Sequence, residues 1–233
     1  MIFSAIKNFL SNSKIPNRIK NKCYIIGGGP SVNDINLSKL IDGDIITINK
    51  SIEYVDNCHI FLTMDYSFLD TKLYDKNLIF KRARNQVFVI NRHCNYLIKK
   101  NNLWEDTKHK LKYTLINNFS HIIESNKNVI SNKGFGKTIE EFYTGNNSGF
   151  CALQLALLME YEEIYLLGFD LNVNNGATHF HDGYKTNINF FKLKIDEYLR
   201  NFVICLSNYS HKTKIYSCSL NSSLNKFITY KKI

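Results

Sequence analysis

The stretch Cys23-Tyr24-Ile25-Ile26-Gly27-Gly28-Gly29-Pro30-Ser31 decides the fold. A short apolar run closed by three glycines, a proline and a serine reads as a buried strand entering a tight turn. Asn33-Asp34-Ile35 and the helical-looking Leu37-Ser38-Lys39-Leu40-Ile41 then predict a helix after the turn. Glycines between a strand and a helix let backbone N–H groups approach an anion with no Cβ in the way, and a helix start adds partial positive charge. The run lacks the third glycine of the dinucleotide fingerprint and the Lys-Ser/Thr of a P-loop, which disfavours hydride-transfer cofactors and P-loop ATPase chemistry. A turn with no ligand remains open, since glycine also serves tight turns for its own sake.

Further strands follow at Asp44-Ile45-Ile46-Thr47-Ile48-Asn49, Ile60-Phe61-Leu62-Thr63-Met64-Asp65 and Val87-Phe88-Val89-Ile90. Each gives way to polar residues, as a strand does where its carboxyl end opens into a loop. Residues from about 91 to 142 are Lys- and Asn-rich and poorly patterned, and read as a lid or insertion. A buried helix is expected from Gly149 to Met159, where Phe150, Leu153, Leu157 and Leu158 combine with the small Ala152 and Ala156. The run from Glu163 to Asp170 predicts a central parallel strand. A helix from about Phe190 to Ser207 and a strand at Lys214-Ile215-Tyr216-Ser217-Cys218 complete the pattern. Alternating strands and helices predict an α/β fold: a single Rossmann-like, doubly wound, mainly parallel sheet with helices on both faces and a small lid.

The chain has 233 residues, 44% of them hydrophobic, which suits one such domain over 23–233 preceded by a segment over 1–22. In that first segment Ile2, Phe3, Ile6, Phe9 and Leu10 share a helical face and Lys14, Arg18, Lys20 and Lys22 follow. This amphipathic, basic helix would pack on its own domain or a partner copy in a homo-oligomer, or serve as a peripheral membrane foot. The six cysteines are scattered without metal-ligand spacing, so reduced, buried thiols are expected. No apolar run reaches the length of a membrane span and no signal-peptide pattern opens the chain, so a cytoplasmic location is expected, with the inner membrane face as the peripheral option. The formal charge of +10 favours phosphates, anionic glycans, nucleic acid or an acidic membrane face without choosing among them.

Asn49 and Asp65 each end a strand at the open edge of the sheet, where ligands bind in such folds. Asn49 offers a donor and an acceptor to a base or sugar, and Asp65 offers acceptors to hydroxyls. Asn147-Ser148-Gly149 precedes the buried helix, so Ser148 is expected to cap it with its N–H groups facing the same cleft. Beyond Asp170, Thr178-His179-Phe180-His181-Asp182 carries two histidines two positions apart, on one side of an extended chain. A histidine titrating near neutrality suits the deprotonation of an acceptor hydroxyl, and either of the two fits that role. Metal ligation by these histidines with Asp170 and Asp182 has no recognised spacing behind it.

Taken together, Ile25-Ile26-Gly27-Gly28-Gly29-Pro30-Ser31, Ile48-Asn49-Lys50, Ser148-Gly149, the run from Glu163 to Asp170 and Lys214 to Leu224 resemble the bacterial sialyltransferases that decorate lipooligosaccharide. They also resemble a wider set that includes relatives of flagellin glycosyltransferases and the archaeal hydroxymethylpterin diphosphokinase. The likeness spans most of the chain in the right order. It implies a role in lipopolysaccharide biosynthesis, with a CMP-linked donor surrounded by Gly27, Gly29, Pro30, Ser31, Asn49, Ser148 and Gly149. The resemblance further implies a histidine base, tyrosines on the leaving phosphate and no metal. Here the sequence departs from the family: Asn172 stands where a phosphate-binding tyrosine is expected, His179 near another, and Asp65 where the sialyltransferases carry Asn.

The expectation is a glycosyltransferase that needs no cofactor beyond its nucleotide-sugar donor and moves a sugar to the hydroxyl of a glycan or similar acceptor. Its binding residues would be Gly27, Gly28, Gly29, Pro30, Ser31, Asn49, Asp65, Asn147, Ser148, Gly149 and Asp170, with His179 or His181 as base. The alternative is a diphosphokinase using ATP and Mg²⁺ through Asp65, Asp170 and Asp182. A nucleic-acid-modifying transferase rests on charge alone.

Overall fold

The computed structural model describes residues 15–65, 79, 81–83, 87–91, 120–126, 128–172, 179, 188–210 and 212–233. Eight strands form one sheet: β1 (Lys22–Ile26), β2 (Asp44–Ile48), β3 (Ile60–Thr63), β4 (Val87–Asn91), β5 (Ser120–Glu124), β6 (Glu163–Leu167), β7 (Lys214–Ser217) and β8 (Thr229–Tyr230). Their order is β5-β4-β3-β2-β1-β6-β7-β8, and every neighbouring pair runs parallel. The chain moves outward from β1 through β2, β3, β4 and β5, then returns to the other side of β1 with β6. The crevice at the carboxyl ends of β1 and β6 is therefore the topological switch point, the place where open parallel sheets bind ligands.

Strands buried on both faces explain the near-continuous apolar runs of the sequence. Cys23 and Ile25 of β1 join Ile46, Ile48, Ile60, Leu62, Ile164 and Leu166 on one face, while Tyr24 and Ile26 join Tyr165 and Leu167 on the other. The first face carries α1 (Ser148–Leu158) and α2 (Ile188–Ser207), which supplies Phe202 and Cys205 to the same cluster. Every residue of α1 from Ser148 to Ala156 is buried, which is why this helix shows small and apolar residues all round. Gln154 is the polar exception. Its Oε1 accepts from Gly136 N at 3.0 Å and its Nε2 donates to Tyr143 O at 3.2 Å, so the buried amide is satisfied and pins the 131–145 loop to α1.

The second face carries short 3₁₀ helices at Pro30–Asp34, Leu37–Lys39 and Asn49–Tyr54. The helix expected around Leu37 to Ile41 is thus a single 3₁₀ turn. Asn36 Oδ1 accepts from both Ser38 N and Ser38 Oγ, local bonding that competes with a continuous α-helix. The stretch read as a lid or insertion contains β5, the edge strand of the sheet, together with the buried Phe142; residues 92–119 within it, and the amphipathic face of residues 2–10, lie outside the described residues. At the amino end of the sheet, Asp44 Oδ2 accepts from Ile19 N at 2.8 Å, Lys20 N at 3.1 Å and the Tyr161 hydroxyl at 2.8 Å. This buried carboxylate fastens the segment before β1 to the turn before β6. No helix among the described residues is long and apolar enough to cross a membrane.

Candidate active site

The carboxyl edge of the sheet collects the candidate residues in strand order: Asp65 after β3, Asn49 after β2, Gly27 to Ser31 after β1, Asp170 after β6 and Ser219 after β7. The glycine turn is held from β6. Gly27 N donates to Leu167 O at 2.8 Å and Gly29 N to Gly168 O at 2.9 Å. Proline has no N–H, and the Ser31 N–H is taken by the Asp170 carboxylate. Among the described residues, the Gly28 N–H is the donor of Gly27 to Ser31 left without a partner. The cradle read from the glycine run is therefore narrower than its spacing suggests, and the helix behind it is the five-residue 3₁₀ turn Pro30–Asp34.

Asp170 lies under this turn at 4% exposure. Its Oδ2 accepts from Ser31 Oγ at 2.9 Å, and Ser31 Oγ is 2.6 Å from the buried Ser219 Oγ. Burial pushes the Asp170 carboxyl above the ordinary aspartate range, while the hydrogen bonds from Ser31 pull it back. A Cβ on Gly29 would lie 1.9 Å from Asp170 Oδ2 and 2.6 Å from Gly168 O, so glycine is required there by packing. Asp170 thus acts as a fastener of the turn, with its carboxylate turned into the protein.

His179 is brought to the same place. Its Cδ2 lies 3.0 Å from where a Cβ on Gly28 would stand, and its ring meets Phe191 of α2 with centroids 5.2 Å apart. Burial holds the imidazole below the ordinary histidine pKa, which favours the neutral ring. His181 and Asp182 lie outside the described residues.

Asn49 adopts φ 53°, the left-handed region that asparagine tolerates better than most residues, and its Oδ1 accepts from Thr63 Oγ1 at 2.7 Å. Asp65 is exposed, and its N–H donates to Thr63 Oγ1 at 2.9 Å. The cap of α1 is Asn147, whose Oδ1 accepts from Phe150 N at 3.1 Å. Ser148, expected to be the cap, is instead the first helical residue, and its Oγ accepts from Met64 N at 3.4 Å, tying the helix start to the end of β3. Gly149 leaves room for Phe169, whose Cε1 would be 2.7 Å from an added Cβ.

Three contributors were not singled out from sequence. Thr63 holds Asn49, Ser219 holds Ser31, and Ser222 Oγ donates to Phe169 O at 2.6 Å to clasp the exit of β6. The serine run after the last long strand was the available signal for two of them. Asn172 donates its Nδ2 to Asn221 O, linking the same two segments.

No protein-family model matches the chain, and no curated protein matches it significantly. Solved structures do. The sialyltransferase CstII from Campylobacter jejuni in complex with a substrate analogue, cytidine-5'-monophosphate, aligns at TM-score 0.52 and 20% identity over 92% of this chain and 86% of that one. The sialyltransferase CST-II in complex with trisaccharide acceptor and CMP aligns at TM-score 0.52 and 19% identity over 90% and 85%. The monofunctional alpha-2,3-sialyltransferase Cst-I from Campylobacter jejuni aligns at TM-score 0.54 and 18% identity over 94% and 83%. The chain shares its α/β fold with these enzymes over most of its length.

Proposed function

We propose that the chain is a glycosyltransferase that moves a sugar from a CMP-linked donor to a hydroxyl of a glycan, with His179 as the general base. The observation that carries this reading is the seat of His179: a half-buried imidazole resting on Gly28, whose N–H takes no partner among the described residues, at the switch point of the sheet. A neutral imidazole takes the proton of the acceptor hydroxyl as its oxygen attacks the anomeric carbon, and the nucleotide leaves with the bonding electron pair. In this reading the Gly28 N–H donates to a leaving phosphate oxygen as negative charge develops there. The likeness to enzymes crystallised with CMP and with a trisaccharide acceptor supports the choice of donor and acceptor class. The proposed steps draw on no metal ion, and Asp170 serves as scaffold in them.

Thermal-shift measurements with CMP-, UDP- and GDP-sugars and with ATP, each with and without Mg²⁺, test the ligand. Stabilisation by CMP-sugars is expected; stabilisation by ATP–Mg²⁺ alone overturns the reading in favour of phosphoryl transfer. His179→Ala is expected to abolish sugar transfer while leaving donor binding in place, and full transfer by that variant removes the base.

A further inference from the structure

Thr63 ends β3 beside β2, with Ile48 registered against Leu62 one residue before it, and it is fully buried. Its single hydroxyl proton has two oxygens within reach, Asn49 Oδ1 at 2.7 Å and Asp65 O at 3.1 Å, and the hydroxyl oxygen also accepts from Asp65 N at 2.9 Å. The shorter separation is an O–H···O distance and is tighter than the usual N–H···O spacing, so the proton belongs to Asn49 Oδ1 and the amide is oriented with oxygen inward. The Asn49 Nδ2 takes no partner among the described residues and is not closed off from solvent. The left-handed backbone at Asn49, φ 53°, carries this amide at the open edge of the sheet.

We infer that Thr63 is a positioning residue that locks the Asn49 amide so that the site presents a hydrogen-bond donor, and never an acceptor, to the nucleotide. This rests on the nucleotide-sugar reading and deepens it. The ligand atom at Asn49 is then an acceptor oxygen, either a phosphoryl oxygen or a pyrimidine carbonyl, and an amine at that position is rejected. A free asparagine could turn its amide to suit either kind of group. With Thr63 in place it cannot do so without leaving the buried hydroxyl proton to the longer, poorer contact with Asp65 O.

The test is titration of CMP and cytidine into the wild type, Thr63→Val, Thr63→Ser, Asn49→Ala and the Thr63→Val/Asn49→Ala pair, with donor KM and kcat measured in parallel and melting temperatures as a folding control. Thr63→Val should weaken CMP about tenfold, the loss that follows when one hydrogen-bonding group is no longer held in place. The donor KM should rise with kcat retained, and Thr63→Ser should restore both. In the Asn49→Ala background Thr63→Val should change nothing further, because its effect acts through that amide. Weakened CMP with unchanged cytidine assigns the oxygen to the phosphate, and equal weakening of both assigns it to the base. Unchanged CMP affinity in Thr63→Val, or an undiminished effect in the Asn49→Ala background, overturns the inference while leaving the nucleotide reading intact. A wild type that binds neither CMP nor cytidine overturns both.

Discussion

Gly28 and Gly29 are adjacent and identical in type, yet alanine at each should produce opposite effects. At Gly29 the new methyl would stand 1.9 Å from Asp170 Oδ2 and 2.6 Å from the Gly168 carbonyl, whereas real Cβ atoms essentially never approach within 3.0 Å. The backbone carbonyl belongs to the β1–β6 junction and cannot yield, and displacing the carboxylate breaks its bond to Ser31. Overpacking of that severity costs about 3 kcal/mol. In a domain of this size the melting temperature should fall by about 6–12 °C. At Gly28 the nearest atom among the described residues is His179 Cδ2 at 3.0 Å, the edge of a side-chain ring, and the backbone there is outside the left-handed region. The ring needs to shift only slightly, and the alanine removes some unfolded-state freedom, so the melting temperature should stay within about 2 °C of wild type. Turnover should suffer instead, because moving a base by a fraction of an ångström costs about tenfold or more in kcat/KM. Differential scanning fluorimetry and a sugar-transfer assay on the two variants read both effects. Equal destabilisation by the two alanines refutes the packing argument, and full turnover by Gly28→Ala refutes the placement of the base.

The other consequences concern titration and the amino end of the sheet. Because burial lowers the His179 pKa, the neutral base persists below the ordinary histidine range. The acid limb of the kcat/KM profile should accordingly fall below about pH 6.5, and a limb at or above that value contradicts the partly desolvated, neutral ring. Tyr161→Phe removes a hydroxyl that donates to the buried Asp44 carboxylate at 2.8 Å. It should cost about 1.5–3 kcal/mol in denaturant unfolding with no change in donor affinity, since it lies at the opposite end of the sheet.

The elements that sequence made legible are those whose pattern is enforced locally. β1, β2, β3 and β6 are apolar runs bounded by polar residues, and α1 is a run with no polar face, because burial on both sides leaves little room for anything else, while β4 and β7 show in sequence as the runs Val87-Phe88-Val89-Ile90 and Ile215-Tyr216. β5 escaped because Ser120-His121-Ile122-Ile123-Glu124 holds only two aliphatic residues inside a Lys- and Asn-rich stretch, and β8 because two residues carry no period. At the site, the glycines that admit close approach and the asparagine at the end of β2 were readable from backbone chemistry, while the cap of α1 fell one residue before the expected Ser148, on Asn147. Thr63 and Ser219 were not, since a buried hydroxyl at a strand end looks like any other β-compatible residue until its partner from another strand is known.

The three consecutive glycines now separate into different demands. Gly27 is required by the carbonyl of Gly168, 2.9 Å from an added Cβ, and Gly29 by that same carbonyl and Asp170. Both are conditions for packing β1 against β6 and would hold in a protein that bound nothing. Among the described residues a Cβ on Gly28 would meet no backbone, only the imidazole of His179, and its N–H is the donor that β6 does not take. Of the three, it is the middle glycine whose absent side chain makes room for a histidine, and the proposed phosphate contact falls there. A glycine required by packing and a glycine required by a site are indistinguishable in sequence. They differ in what stands opposite the missing Cβ, and that difference makes Gly28 the position whose substitution separates function from fold.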